Sequence, residues 1–423
     1  MAEVAAGILA AEQAVSATIY AGAAGYALAK STMPLKATFS QTGYTPDTAS
    51  SASLTRSHHT LTIIGDKAYI FGGQTGQGKL AGNSIHSIAL PEADTATPDT
   101  ATPEYQVLPA LAAEKGGSVP KPRTRHSACV LNNSVAIYGG YNESGNIVDE
   151  DSTIWLFDVE KLTWSTIKPY SLPESTPPPR GEAYLLAHDG NLILVGGKNA
   201  NGEALTDVWH YNCSSGAWKK LSHTPDIIAG AAIAGHTLYA ITNSDDSLGS
   251  EVHRLDIQPY TGPWQTVSFP TDPLTPGPRP RSRGGLIPIT TGYGRNYLVY
   301  FFGDRKGKAE AGDLLQWSDL WTFQLPSSDL EAKSTTSVKD AIKPAKIKDE
   351  IRKKLGADTG GFSWAEVEVQ PPGDIEAHEG KIHPGPRGSF GYDVTNDGKR
   401  IVLWGGCNAA GEPEGDGWIV EFS

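Results

Sequence analysis

The chain is 423 residues long, enough for two or three ordinary domains or one large β architecture. Hydrophobic residues at 39% support a large core, while 47 Gly, 29 Pro and only 2 Met beside 10 Trp and 16 Tyr exclude a helical bundle and favour turn-rich, aromatic-rich β structure. A formal net charge of −12 argues against general nucleic-acid binding, which needs basic clusters, and three cysteines without C-x-x-C spacing (Cys129, Cys213, Cys407) argue for a reducing, cytoplasmic setting.

Residues 1–34 come first and are Ala-rich, an expected short helical segment. Glu3 and Glu12 interrupt its apolar run and no Lys or Arg precedes it, so it reads as neither a secretory signal nor a membrane span. It is expected to cover one end of the fold or to mediate a homodimer. Residues 35–43, LKATFSQTG, then alternate like a strand and carry Phe39.

From Arg56 onward a unit of four short predicted strands recurs, about 50 residues at a time, six times. An Arg opens the units at Arg56, Arg123, Arg180, Arg281 and Arg387. The second strand ends in Gly-Gly at Gly73, Gly140, Gly197 and Gly406, with a degenerate copy at Gly303 and a weaker one at Ile241. The third strand carries an aromatic at His86, Trp155, Trp209, His253, Trp321 and Trp418; the fourth carries Tyr105, Trp164, Trp218, Trp264 and Trp364. Two insertions, at 91–103 and at the Lys-rich 326–361, join third to fourth strands and fall on one rim. Unit six ends without a fourth strand, so 35–43 is expected to close it, with Phe39 in the aromatic column.

The repeat arginines and His59 and His126 read as structural, the arginines tying neighbouring units together. Two rings of unlike residues remain. One stands two residues after each Arg: His58, Arg125, Glu182, Ile227, Arg283 and Ser389. The other follows each Gly pair: Gln74, Tyr141, Lys198, Asn243, Asp304 and Cys407. The start of strand one and the end of strand two meet at the same mouth, so both rings are expected there, either lining a pocket or forming a plain solvated rim.

The motif PR-x-x-H (Arg123–His126), the double glycine, D-x-W and T-W resemble the Kelch repeat over residues 35–423. The resemblance implies an all-β, six-bladed Kelch-type β-propeller closed by the N-terminal strand, and places peptide-binding positions on these rings. In plant specifier proteins, also Kelch propellers, E-x3-D-x3-H holds iron. Here EALTDVWHY supplies Glu203 and Asp207 but Tyr211 in the third place, with His210 one position early, so neither metal nor other cofactor is expected.

The Ala-rich leader, the TMPLKATFS segment and the six degenerate blades resemble stand-alone fungal Kelch propellers such as the hetero-Diels–Alderases of tropolone-sesquiterpene biosynthesis. That resemblance implies a cofactor-independent enzyme joining a tropolone quinone methide to a humulene-type sesquiterpene. Arg125, Arg283, His58, Lys198 and Tyr141 would serve as hydrogen-bond donors, His58 or Glu182 as the acid–base group, and Ile227, Phe390 and Trp404 as an apolar wall. Gln74, Asn243, Asp304 and Ser389 would complete the binding rim. An interaction module binding an acidic peptide is the alternative, and a carbohydrate-binding or oxidase propeller a second one.

Overall fold

Short β-branched and aromatic runs separated by Gly, Asn and Asp turns fold into antiparallel four-stranded sheets in chain order. The computed structural model describes residues 35–42, 54–91, 104–170, 175–243, 250–258, 262–267, 277–291, 295–305, 316–326, 361–371 and 381–423. The expected N-terminal helical segment, with its dimer role, and residues 92–103 and 327–360 of the two insertions lie outside the described residues. No described helix is long and apolar enough to cross a membrane.

The innermost strands are Thr60–Ile64, Ser127–Leu131, Tyr184–His188, Ile228–Ala234, Gly285–Thr290 and Gly391–Val394. Each touches the next, and the sixth touches the first, so the protein is an all-β six-bladed propeller with a central channel. Blade six is completed by Lys36–Gln41, which pairs antiparallel with Gly417–Phe422 and sets Phe39 opposite Val420. A feature beyond the expected layout sits outside it. The chain leaves blade five after Ser363–Glu366, and Glu368–Gln370 pairs parallel to the closing strand as a fifth strand. Val367, between the two segments, donates its N–H to Leu320 O at 2.8 Å, which kinks the chain from one sheet to the other.

The aromatic columns pack where blades meet. Trp164 and Trp155 bury against Tyr69 and Phe71 of blade one, and Trp218 and Trp209 against Tyr138 of blade two. The first Gly pair shows why glycine stands there. Gly72 and Gly73 have φ of +62° and +91°, and a Cβ would lie 2.5 Å from Arg123 O and 2.6 Å from Ser57 O.

The repeat arginines bond within their own blade, not across to the neighbour as expected. Arg123, Arg180, Arg281 and Arg387 each donate to the carbonyl that ends their own second strand and to Glu150, Asp207, Asp319 and Asp416. The same acids accept the indole N–H of Trp155, Trp209, Trp321 and Trp418, which explains the D-x-W spacing of the last three; in blade two Glu150 reaches Trp155 from five residues away. The link between blades is instead main-chain: Gly73, Gly140, Gly303 and Gly406 donate to the carbonyls of Arg123, Arg180, Arg387 and Arg56. Blade one has no acid at that place. Arg56 donates to Gly72 O and to His86 Nε2 at 2.9 Å, so His86 must carry its proton on Nδ1, toward the Tyr105 hydroxyl 2.7 Å away. Burial, then the Arg56 charge, pushes His86 down to about 3.

Candidate functional site

Each blade enters its inner strand through a tight turn, and the residue at that turn is the first-ring position. His58, Arg125, Glu182, Arg283 and Ser389 all sit in the left-handed region, with φ of 55°, 52°, 55°, 56° and 59°. A glycine would adopt this backbone without strain, whereas each of these side chains costs on the order of 1 kcal/mol there. A circumferential run of main-chain hydrogen bonds joins them: Ser389 N–H to Arg283 O, His58 to Ser389, Arg125 to His58 and Glu182 to Arg125, at 2.7–3.0 Å. Blade four lacks the repeat Arg and breaks the run, because Ile227 turns its N–H to its own Asp226 carboxylate.

The ring crowns a cavity of about 770 Å³ formed by the six inner strands. Arg125 donates to Glu182 at 2.9 Å, Lys198 pairs with the other Glu182 oxygen at 2.8 Å, and Arg283 donates to Asp304 at 3.3 Å. Arg125, Lys198 and Arg283 thus gather at the mouth against Glu182 and Asp304, with the Asp226 carboxylate at the blade-four turn and Asp393 elsewhere in the same cavity. His58 is held between the Ser57 and Ser389 hydroxyls at 3.0 and 3.1 Å. Burial, then Arg125 and Arg283, pushes it down to about 3, so it is neutral. Burial favours the neutral form of Glu182, but Lys198 and the two arginines outweigh it and hold the carboxyl below its usual range. These states suit His58 and Glu182 to accept and orient hydrogen bonds.

The remaining expected residues divide by location. Lys198, Ile227, Ser389 and Phe390 line the cavity, and Ile227 is half exposed at its mouth. Tyr141 lies on the rim under Arg125, whose guanidinium is 6.0 Å from the ring centre, and fills the space over Gly181. Gln74 and Asp304 pair with the turns at Ser57 and Ser282, on the rim but outside the cavity wall. Asn243 ends Thr237–Asn243, where its backbone pairs with Ser250. Trp404 does not reach the cavity. It closes Arg400–Trp404 on the face that meets blade one, is buried among Leu54, Leu61 and Ile70, and donates its indole N–H to Leu54 O. Glu203 and Asp207 do not form a metal site with His210 either, since Asp207 is taken by Arg180 and Trp209, and Glu203 by Asn199.

Sequence reasoning missed two groups. Asp393 lies deeper in the cavity, accepting from Ile63 N–H at 2.8 Å; burial raises it to about 6 although Ile63 and Val394 N–H oppose this. His188, Asp189 and His236 converge at the opposite end of the channel. They sit at the first-to-second strand turns of two adjacent blades, where the repeat carries no fixed residue that would have marked them.

The description "KLHDC2/KLHL20/DRC7 Kelch-repeats domain" matches residues 59–286. The chain is 26% identical to acyl-CoA-binding domain-containing protein 4 of Arabidopsis thaliana over 285 residues, 65% of this chain and 39% of that protein. It is 34% identical to Kelch domain-containing protein 1 of Mus musculus over 112 residues, 26% of each chain. It is 24% identical to the flagellar outer-arm dynein alpha chain of Chlamydomonas reinhardtii over 207 residues, 48% of this chain and 4% of that one. The match therefore spans 39% or less of the length of each of these relatives.

Proposed function

The chain belongs to the KLHDC2/KLHL20/DRC7 Kelch-repeat family, and from that premise we propose that it is an interaction module whose ringed mouth holds an acidic peptide. The observation that carries this reading is the row of strained rim residues. Five consecutive non-glycine side chains occupy a turn that glycine would make at lower cost, and they aim charged and polar groups over one cavity. Arg125 and Arg283 would each give a carboxylate a charge-assisted pair, with Lys198 between them. The unpaired thiols Cys129, Cys213 and Cys407 accord with a cytoplasmic setting.

The test uses a fluorescein-labelled decapeptide of alternating Glu and Tyr, read by anisotropy against its Lys-for-Glu counterpart. Arg125→Gly and Arg283→Gly are each expected to weaken the acidic peptide by about 10-fold or more, while stability stays within about 1 kcal/mol because the turn prefers glycine. Affinity should be flat from about pH 7.5 to 8.5, since the ring charge comes from Arg and Lys while His58, pushed down to about 3, stays neutral, and should rise as pH falls through about 6, where Asp393 in the same cavity loses its negative charge. Equal binding of the two peptides, or of wild type and both variants, would overturn the reading.

A second reading is favoured by the cavity floor, where Ala183, Ala187, Ala231, Ala232 and Phe390 make a small-residue, apolar wall beneath the arginines. That is the environment a cofactor-independent hetero-Diels–Alderase needs to hold a terpene against a tropolone quinone methide whose oxygen the arginines steady. Incubation with humulene and a hydroxymethyl tropolone should then yield one enantiopure adduct, lost in Arg125→Gly.

A further inference from the structure

The first-to-second strand turns of blades three and four lie at the mouth opposite the ring. His188 ends the inner strand Tyr184–His188, Asp189 follows it in a left-handed turn with φ of 48°, and His236 occupies the corresponding turn between Ile228–Ala234 and Thr237–Asn243. His188 Nε2 is 2.8 Å from His236 Nδ1, and Asp189 Oδ2 is 3.6 and 3.7 Å from those two atoms. His188 is buried between the blades, whereas the other two side chains are about half exposed.

We propose that His188, Asp189 and His236 bind one zinc ion that staples blades three and four. Two imidazoles and a carboxylate are a donor set zinc favours, and its bonds of about 2.0–2.1 Å in a tetrahedron put neighbouring donors roughly 3.3 Å apart. Two of the three spacings already lie within a few tenths of an ångström of that value. The third opens by about half an ångström when zinc replaces the proton shared by the two rings; that proton moves to the other nitrogen of its ring, so each histidine stays neutral.

Two contacts prearrange the set. Gln258 donates to Asp189 Oδ2 at 2.5 Å, and Ile257 N–H donates to His236 O at 2.9 Å, fixing the second turn. Among the described residues no Lys or Arg pairs with Asp189. The location also has a structural use. Blades three and four meet at one of the two junctions, on either side of blade four, where the ring of main-chain bonds at the other mouth is interrupted, so a metal here would join a pair of blades that lacks that bond. The inference is independent of what the ringed mouth binds.

The test titrates zinc chloride into untagged, chelator-stripped full-length protein by calorimetry and by thermal melting. One ion per chain is expected, with a Kd in the micromolar range or tighter and a melting temperature that rises by a few degrees as zinc saturates. Asp189→Asn, which tolerates the left-handed turn, and His236→Gln should each weaken zinc at least 10-fold and flatten the melting response. Each variant also loses a hydrogen bond to Gln258 or His188, so its zinc response is read as the shift from its own zinc-free melting temperature. The proposal fails if wild type shows no stoichiometric site, or if the isotherm of the double variant superimposes on that of wild type.

Discussion

Replacing Arg180 by Met is expected to lower the unfolding free energy by about 3–5 kcal/mol, read from chemical denaturation at pH 7. Arg180 is fully buried, donates to Asp207 at 2.6 and 2.8 Å and to Gly196 O at 2.9 Å, and Asp207 in turn holds the Trp209 indole at 2.6 Å. The methionine keeps most of the volume but leaves a nearly buried carboxylate without its partner. Burial by itself favours the neutral carboxyl; in the native protein the Arg180 hydrogen bonds and charge outweigh it and keep Asp207 below its usual range. The stabilisation this gives is complete above the unfolded pKa of the carboxyl and disappears as pH falls through the folded one. In the variant, burial unopposed by Arg180 makes Asp207 take up a proton readily. The gap between wild type and variant should therefore narrow as pH falls below about 4. A gap that is unchanged at pH 3 would show that the loss is one of shape, not of an uncompensated charge. The double variant Arg180→Met/Asp207→Leu is expected to recover part of the loss for the same reason.

Phe39→Ala should cost about 3–5 kcal/mol, although the residue lies near one end of the described chain. Phe39 is buried against Phe302, His383 and Trp418, with ring centroids 6.2, 4.5 and 6.4 Å away, so it packs into blade five as well as blade six. It sits on the strand that closes the ring, and losing its hold exposes the edge of Gly417–Phe422. Thr38→Ala on the outer face of the same strand is the control and should change stability by less than about 0.5 kcal/mol. Equal melting temperatures for Phe39→Ala and Thr38→Ala would mean that the ring is held shut without this strand.

What was legible in the sequence follows from periodicity. A repeating unit places like residues in like environments, so the Arg, Gly-Gly and aromatic columns announced the blades. The break in one column, with Phe39 standing in for the absent strand, announced the closure. The ring residues were found because they vary at a position where the rest of the repeat does not. Charge state was not legible: whether His58 is neutral depends on Arg125 and Arg283, which other blades bring beside it.

The sequence by itself determined the six units, the strand that completes the last one and the two rings of residues at one mouth, because these are local patterns repeated along the chain. Only the tertiary structure decided that the repeat arginines bond within their own blades and that Trp404 faces blade one, since sequence spacing does not say which way a side chain turns at a blade boundary. It alone placed Glu368–Gln370 beside Lys36–Gln41 and brought His188 to 2.8 Å from His236. These pairs join segments far apart in sequence or in separate units; closing the ring sets the first side by side, and the packing of blade three on blade four sets the second.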